Sequence, residues 1–160
     1  MSHFDSVFEY KPLLDGAGLN VGVVMSRFNE NIGRALLTAC IGELQRLGVA
    51  ADHIEIALVP GALEIPLTLQ TFARQKRFDA LIALGAVLRG ETYHFDVVSN
   101  DSCRAVMEIQ LDTGLPVANG ILTCETEEQA MERTTQKGVD CAQAAIEMAH
   151  LIRAIDERRP

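Results

Sequence analysis

Four short apolar runs alternate with longer amphipathic stretches along this chain, and that alternation leaves few folds open. The runs are Val21–Met25, Ile54–Val59, Ala80–Leu84 and Val117–Leu122. Each is too short for a buried helix and is bounded by turn-forming or polar residues, the pattern of a strand buried on both faces. After the first, Ile32, Leu36, Cys40, Leu44 and Leu47 recur at helical spacing, with Asn29 or Asn31 as cap and Gly48 as stop. A second helix enters through Pro66, tolerated in a first turn, and runs to about Gln75 with Leu69, Phe72 and Ala73 inward. A third spans about Phe95–Thr113, has Val106, Ile109 and Gln110 near its middle, and stops at Gly114-Leu115-Pro116. Thr126 and Gln129 form a capping box for a fourth, and Glu127 and Glu128 suit its positive end. Gly138 is expected to divide that helix from a last one over Val139–Ile155. The order β-α-β-α-β-α-β-α-α predicts an α/β fold. Its core is a four-stranded parallel sheet flanked by helices on both faces, a three-layer sandwich with right-handed crossovers. Residues 18–156 form the single domain. Residues 1–17 are an arm in which Val7, Phe8 and Tyr10 suit a short strand; such an arm is either disordered or paired with a sheet edge, a neighbouring subunit's included. Residues 157–160 are a polar tail.

Parallel strands present their carboxyl ends together, and open α/β sheets hold ligands there. The loops at that edge carry Phe28, the Gly61–Glu64 turn, the Gly85–His94 loop, and Asn119 or Thr123. The richest stretch is Ala80–Asp96. Its apolar run is expected to end at Gly85. A glycine-punctuated loop follows, with Arg89, Thr92 and His94 close together and a backbone N–H open at Gly90. Anion contact and proton transfer are the chemistry such a loop supports. Gly85-x-x-x-x-Gly90-Glu91-Thr92 differs from a P-loop at the lysine position, where Glu91 would repel a nucleotide's phosphates, so a nucleoside triphosphatase is excluded. Each candidate also has a plain structural reading. His94 could be a partly buried ring bonded to a carbonyl, and Phe28 a core residue. Glu64 could be a first-turn charge facing the helix dipole. Arg133 could be a solvated residue paired with Glu132 or Glu128. His3, His53 and His150 lie elsewhere, and no pair has metal-ligand spacing.

Charge narrows the function classes. The net charge is −8, and binding a polyanion needs a basic face that this chain lacks beyond Arg158-Arg159. No apolar run has transmembrane length, and Met1–Lys11 is polar and mixed, unlike a signal peptide. No nucleic acid and no membrane are expected as partners. Cys40, Cys103, Cys124 and Cys141 form no C-x-x-C pair and read as reduced thiols of a cytoplasmic protein. With no tryptophan and 5% aromatic residues, each loop aromatic is informative.

Several of these loops together resemble the lumazine synthase family. The residues that carry the resemblance are Arg27-Phe28-Asn29, Pro60–Pro66, Gly85–Asp96, Asn119–Thr123, then Glu128-Gln129-Ala130 and Arg133. They span about residues 18–155 in the family's order. The resemblance implies a flavodoxin-like sandwich. It also implies a condensation of 5-amino-6-ribitylaminouracil with 3,4-dihydroxy-2-butanone 4-phosphate, giving 6,7-dimethyl-8-ribityllumazine, phosphate and water, with no cofactor and no metal. By similarity, Phe28 stacks on the pyrimidine, and Ala62, Leu63 and Glu64 line the ribityl chain. The backbone at Ala86, Val87 and Leu88 brackets the ring. Glu91 and Thr92 supply loop amides near the phosphate, Arg133 supplies charge, and Lys137 lies in the same substrate-binding set. Asn119 reaches a neighbouring subunit's site, and His94 is the proton shuttle. An imidazole titrates near neutrality and suits imine formation, which needs protons delivered and removed. The resemblance further implies a homo-oligomer with sites at subunit interfaces and an association with riboflavin synthase. Two departures stand out. Leu63 replaces an aromatic residue common among relatives. Between Arg133 and Lys137-Gly138 stand only Thr134-Thr135-Gln136, without the longer glycine turn of shell-forming relatives, so a pentamer or a pair of pentamers is expected. A flavin- or lumazine-binding protein, or a flavodoxin-like signalling or electron-transfer module, would use the same scaffold. A proton shuttle and a phosphate cation together favour a catalyst.

Overall fold

The computed structural model describes residues 4–158. Its strands are β1 (Val21–Ser26), β2 (Ile54–Val59), β3 (Ala80–Leu88) and β4 (Val117–Cys124). Its helices are α1 (Glu30–Arg46), α2 (Ile65–Arg74), α3 (His94–Thr113) and α4 (Glu127–Glu157). All strand pairs are parallel, in the order β2-β1-β3-β4. The chain thus builds outward from β1 to β2, then crosses back to β3. The point where that direction reverses lies between β1 and β3.

Side-chain alternation along the central strands splits the core in two. Val21, Val23 and Met25 of β1 and Ala80, Ile82, Leu84 and Ala86 of β3 pack with α1 and α4. Val24 of β1 and Leu81, Ala83 and Val87 of β3 pack with α2 and α3. Burial on both faces is why these strands read as unbroken apolar runs. The expected three-layer α/β sandwich is the observed fold.

Three local expectations need correction. First, β3 does not end at Gly85. It continues to Leu88, and Gly85–Leu88 pair with Ile121–Cys124 of β4, which is longer for the same reason. Gly85 is required by close approach rather than by a turn, since a Cβ there would lie 2.2 Å from Ser26 Oγ. Second, Gly138 divides nothing. α4 is one 31-residue helix, and Gly138 lies inside it where a Cβ would meet the Leu36 carbonyl oxygen of α1 at 2.6 Å. Third, Asn29 is the N-cap residue of α1 but makes no capping bond; its Nδ2 donates instead to the Ala86 carbonyl at 3.0 Å. Within this one chain, Val7, Phe8 and Tyr10 pair with no strand of the sheet. The arm follows the end of α4, where Arg158 stacks over Phe8 and His150 Nε2 donates to the Asp15 carbonyl at 2.6 Å. His3, Arg159 and the last residue of the expected tail lie outside the described residues.

Other local signals act as read. Gln129 N–H donates to Thr126 Oγ1, the cap expected, while the Gln129 side chain accepts from the N–H of Glu125, one residue before the N-cap. Gly114 ends α3 in the left-handed region at φ 68°, its N–H bonded to the Gln110 carbonyl.

Candidate active site

β3 outruns its neighbour β1. The last β1–β3 pair is Met25 with Leu84, so Ala86–Leu88 have β4 on one side and no strand on the other. Asn29 Nδ2 takes the Ala86 carbonyl on that open side. Backbone groups alternate along a strand, so those of Leu88 face the same way. The unpaired edge forms one wall of a cleft of about 390 Å³ at the carboxyl ends of β1 and β3, at the topological switch point.

The cleft collects residues from three separate stretches of chain, the last running from β3 into α3. Phe28 follows β1, held by the adjacent Arg27 N–H bonded to the Val59 carbonyl at 2.8 Å. Gly61–Glu64 come from a short 3-10 turn before α2. Ala86, Val87 and Leu88 are strand residues, not loop residues. Gly90, Thr92 and His94 close the far side, with Phe95 and Val98 below them on α3. Phe28 is 82% exposed, which settles its two readings against the core. Leu63, 46% exposed, stands in the same cleft. Glu64 is exposed and makes no capping bond to α2, although it holds the N-cap position.

His94 is the first residue of α3, one position earlier than the periodicity suggests. Its backbone N–H reaches Thr92 Oγ1 at 3.4 Å. The ring is exposed and has no hydrogen-bond partner among the described residues, so the buried, carbonyl-bonded reading does not hold. The imidazole stands over an apolar cleft.

Arg89 does not offer its charge to the cleft. Its Nε donates to Glu125 at 2.9 Å, Nη1 lies 3.6 Å from Asp96, and the guanidinium stacks 4.3 Å over the Phe95 ring. The hydrogen bond to Glu125 raises the Arg89 pKa above its ordinary value. Spacing alone hid this, because both carboxylates are distant in sequence or lie across a helix start.

Glu91, Asn119, Arg133 and Lys137 do not line the cleft of this protomer. Asn119 lies within β4 opposite Ala83, well before the strand's carboxyl end, so Thr123, opposite Val87, is the rim residue. Asn119 is exposed on this edge strand, and its Oδ1 accepts from Ile121 N–H at 2.9 Å. Arg133 is exposed on α4 and pairs with neither Glu132 nor Glu128; its Nη1 donates to the Gln129 carbonyl at 2.7 Å. Lys137 follows one turn later on the same side of α4. Burial pushes the nearby Cys141 thiol up to about 11, and Lys137 opposes that shift. One protomer therefore presents an apolar cleft with an imidazole, a hydroxyl and a carboxylate, and carries its candidate phosphate cations on a different surface. No group of His, Cys, Asp and Glu among the described residues could hold a metal ion. The bracing role of Asn29 and the lining roles of Phe95 and Val98 escaped sequence reading. The spacing of His94 and Val98 on one helical face was the available signal.

The family model for 6,7-dimethyl-8-ribityllumazine synthase matches residues 18–153. A 6,7-dimethyl-8-ribityllumazine synthase of Azoarcus sp. (strain BH72) is 55% identical over 155 residues, covering 97% of this chain and 99% of that protein. One from Nitrosospira multiformis is 54% identical over 157 residues, covering 98% of each. One from Paraburkholderia phymatum is 56% identical over 149 residues, covering 93% of this chain and 87% of its own. With this agreement along nearly its whole length, the chain belongs to the 6,7-dimethyl-8-ribityllumazine synthase family.

Proposed function

We propose that this protein condenses 5-amino-6-ribitylaminouracil with 3,4-dihydroxy-2-butanone 4-phosphate to 6,7-dimethyl-8-ribityllumazine, phosphate and water, a step of riboflavin biosynthesis. One observation carries the residue-level reading. An exposed imidazole without a partner stands at the head of α3 over an apolar cleft whose far lip is an exposed aromatic ring. Phe28 stacks on the pyrimidine. Ala62, Leu63 and Glu64 take the ribityl chain, with Glu64 accepting from its hydroxyls. The backbone of Ala86, Val87 and Leu88 brackets the ring, its free edge on the side away from β4. The substrate amine attacks the ketone, and loss of water from the adduct gives an imine. His94 takes up and returns the protons these steps move. Phosphate leaves with its electron pair, and the amides of Glu91 and Thr92 with Arg133 and Lys137 stabilise the developing charge. The enol left behind becomes a ketone, and attack on it by the ribitylamino nitrogen, with loss of a second water, closes the ring. Holding two reactants in register supplies much of the acceleration.

The absence of Arg133, Lys137 and Asn119 from the cleft of the same protomer supports a site completed by an adjoining copy. A pentamer, or two pentamers face to face, is the assembly we infer, with residues 18–156 as the catalytic domain and residues 1–17 as an arm on a neighbour. The unbroken run of α4 through Arg133–Gly138 leaves no turn there for a shell-type contact. Among the described residues no helix is long and apolar enough to cross a membrane, and all four cysteines are free thiols, which supports a cytoplasmic setting. A riboflavin synthase, consuming the product, is the protein partner this reading suggests.

The test is lumazine formation followed by absorbance, wild type against His94→Ala. A loss of about 10²–10⁴ in kcat is expected, the usual worth of a positioned proton-transfer group. Undiminished turnover in the variant removes His94 from its role, and an inactive wild type overturns the activity. Light scattering should give the mass of five or ten chains; a monomer that still turns over excludes the shared site.

A further inference from the structure

We propose that Arg89 is a positioning residue, a guanidinium strap that fixes the head of α3, and with it His94, against the head of α4. The proposal rests on the reaction assigned above and deepens it.

The geometry converges on one side chain. The Arg89 backbone is fixed first, its N–H donating to the Cys124 carbonyl at 3.0 Å, where β3 and β4 end together. Its Nε then donates to the Glu125 carboxylate at 2.9 Å, and Nη1 lies 3.6 Å from the Asp96 carboxylate. The guanidinium plane sits 4.3 Å over Phe95. Phe95 and Asp96 directly follow His94 in the first turn of α3. Two contacts of different kinds therefore hold the two residues beside the imidazole, and a third ties the same guanidinium to Glu125. Lysine would keep the charge but could neither fork between two carboxylates nor stack with a planar face.

Glu125 is itself anchored. Its N–H donates to the Gln129 side chain at 2.9 Å, and the Gln129 carbonyl accepts from Arg133 Nη1 at 2.7 Å. Glu125 and Gln129 thus lie between the mount of His94 and Arg133, each bonded to the next. The segment it spans, Gly90–Thr92, is without regular structure and has a glycine in open space. Within that segment the one bond to α3 is the long contact from His94 N–H to Thr92 Oγ1 at 3.4 Å, so the strap supplies the side-chain contacts that orient the helix head.

Stability is a poor explanation for this arrangement. The side chains of Arg89, Asp96 and Glu125 are 41%, 36% and 59% exposed, and ion pairs that open to water contribute little to folding. A catalytic group moved by about 1 Å, in contrast, can lose roughly a hundredfold in rate. The effect of the strap belongs in kcat.

The experiment compares Arg89→Ala, Arg89→Lys and Glu125→Ala with wild type, in the assembled protein. Arg89→Ala should lower kcat about ten- to a hundredfold with KM changed less than about threefold, and with an unchanged melting temperature. Arg89→Lys should recover only part of that loss. Glu125→Ala should reproduce part of it, and the double variant Arg89→Ala/Glu125→Ala should be no slower than Arg89→Ala, as expected of groups in one network. Amide exchange over Thr92–Val97 should quicken in Arg89→Ala. Wild-type kcat in Arg89→Ala, full rescue by lysine, or additive losses in the double variant would overturn the strap. Should Arg89→Ala misfold, Arg89→Lys and Glu125→Ala decide by the same readouts. A wild type that forms no lumazine refutes the assigned reaction instead. Amide exchange then judges the strap alone, and unchanged protection over Thr92–Val97 refutes it.

Discussion

The two faces of the sheet meet the same demand, burying a strand face under helices, in opposite ways. On one face α1 and α4 approach closely. Gly138, Ala142, Ala145 and Ala149 present small side chains toward the sheet and α1, and the core between them is sealed. On the other face α2 has only 10 residues, and α2 and α3 leave Leu67 68% and Leu111 74% exposed. At the upper end of that face, where β3 outruns β1, the packing opens into the cleft. Close packing leaves no volume for a reactant. A looser face does. The closest helix packing therefore lies on the α1–α4 face, and the cleft opens on the α2–α3 face.

The largest expected effect tests the sealed face. Gly138→Val adds a branched side chain where a Cβ already meets the Leu36 carbonyl oxygen at 2.6 Å and Ala39 Cβ at 2.8 Å. Backbone cannot step aside, so a loss of about 3 kcal/mol in unfolding free energy is expected, read from the urea midpoint. An unmoved midpoint would mean that the two helices are not in tight contact, and the contrast between faces would collapse. The next effect tests the open face. Phe28→Ala should raise KM about tenfold, from lost stacking of roughly 1.4 kcal/mol, and leave the urea midpoint in place. A midpoint that fell with substrate affinity would make Phe28 part of the core after all.

The same contrast marks how far sequence could be read. Strand and helix order followed from local periodicity, because burial on both faces leaves continuous apolar runs such as Ala80–Leu84. The errors fell where a glycine serves tertiary packing. Gly85 and Gly138 read locally as breaks, yet each sits inside a regular element because another segment approaches too closely for a side chain. Nothing within a few residues encodes Ser26 beneath Gly85 or Leu36 beside Gly138. Asn29 failed the same way, leaving its cap for the Ala86 carbonyl across the sheet. The cleft was legible where its residues sit at strand ends: Phe28, the Gly61–Glu64 turn and His94. Arg89 was not, because a cation in a loop and a cation in a strap have the same local sequence. The separation of Arg133 and Lys137 from the cleft was equally hidden, since family resemblance assigns residues to a site but not to a protomer.

The smallest effect concerns a polar contact on the sealed face. Glu43 of α1 is nearly buried and holds a charge there by pairing with Arg46 and by accepting from Gln143 Nε2 of α4 at 2.7 Å. The bond to Arg46, then that to Gln143, keeps its carboxyl below the ordinary value of 4.5. A carboxylate whose pKa is lower folded than unfolded stabilises the fold fully above the unfolded value and loses that contribution as pH falls through the folded one. Wild type should therefore exceed Glu43→Gln in stability by roughly 1 kcal/mol at pH 7, the scale of a hydrogen bond to a charged group discounted for the exposed arginine. The gap should stay constant down to about pH 4.5 and narrow below it, as protonation makes the glutamate resemble its amide. Urea midpoints at pH 7, 5 and 3.5 measure it. A gap that widened on acidification would reverse the sign and place the stabilising charge elsewhere. An equal gap at all three would show that Glu43 joins α1 to α4 by shape and neutral hydrogen bonding, making the sealed face a matter of packing alone.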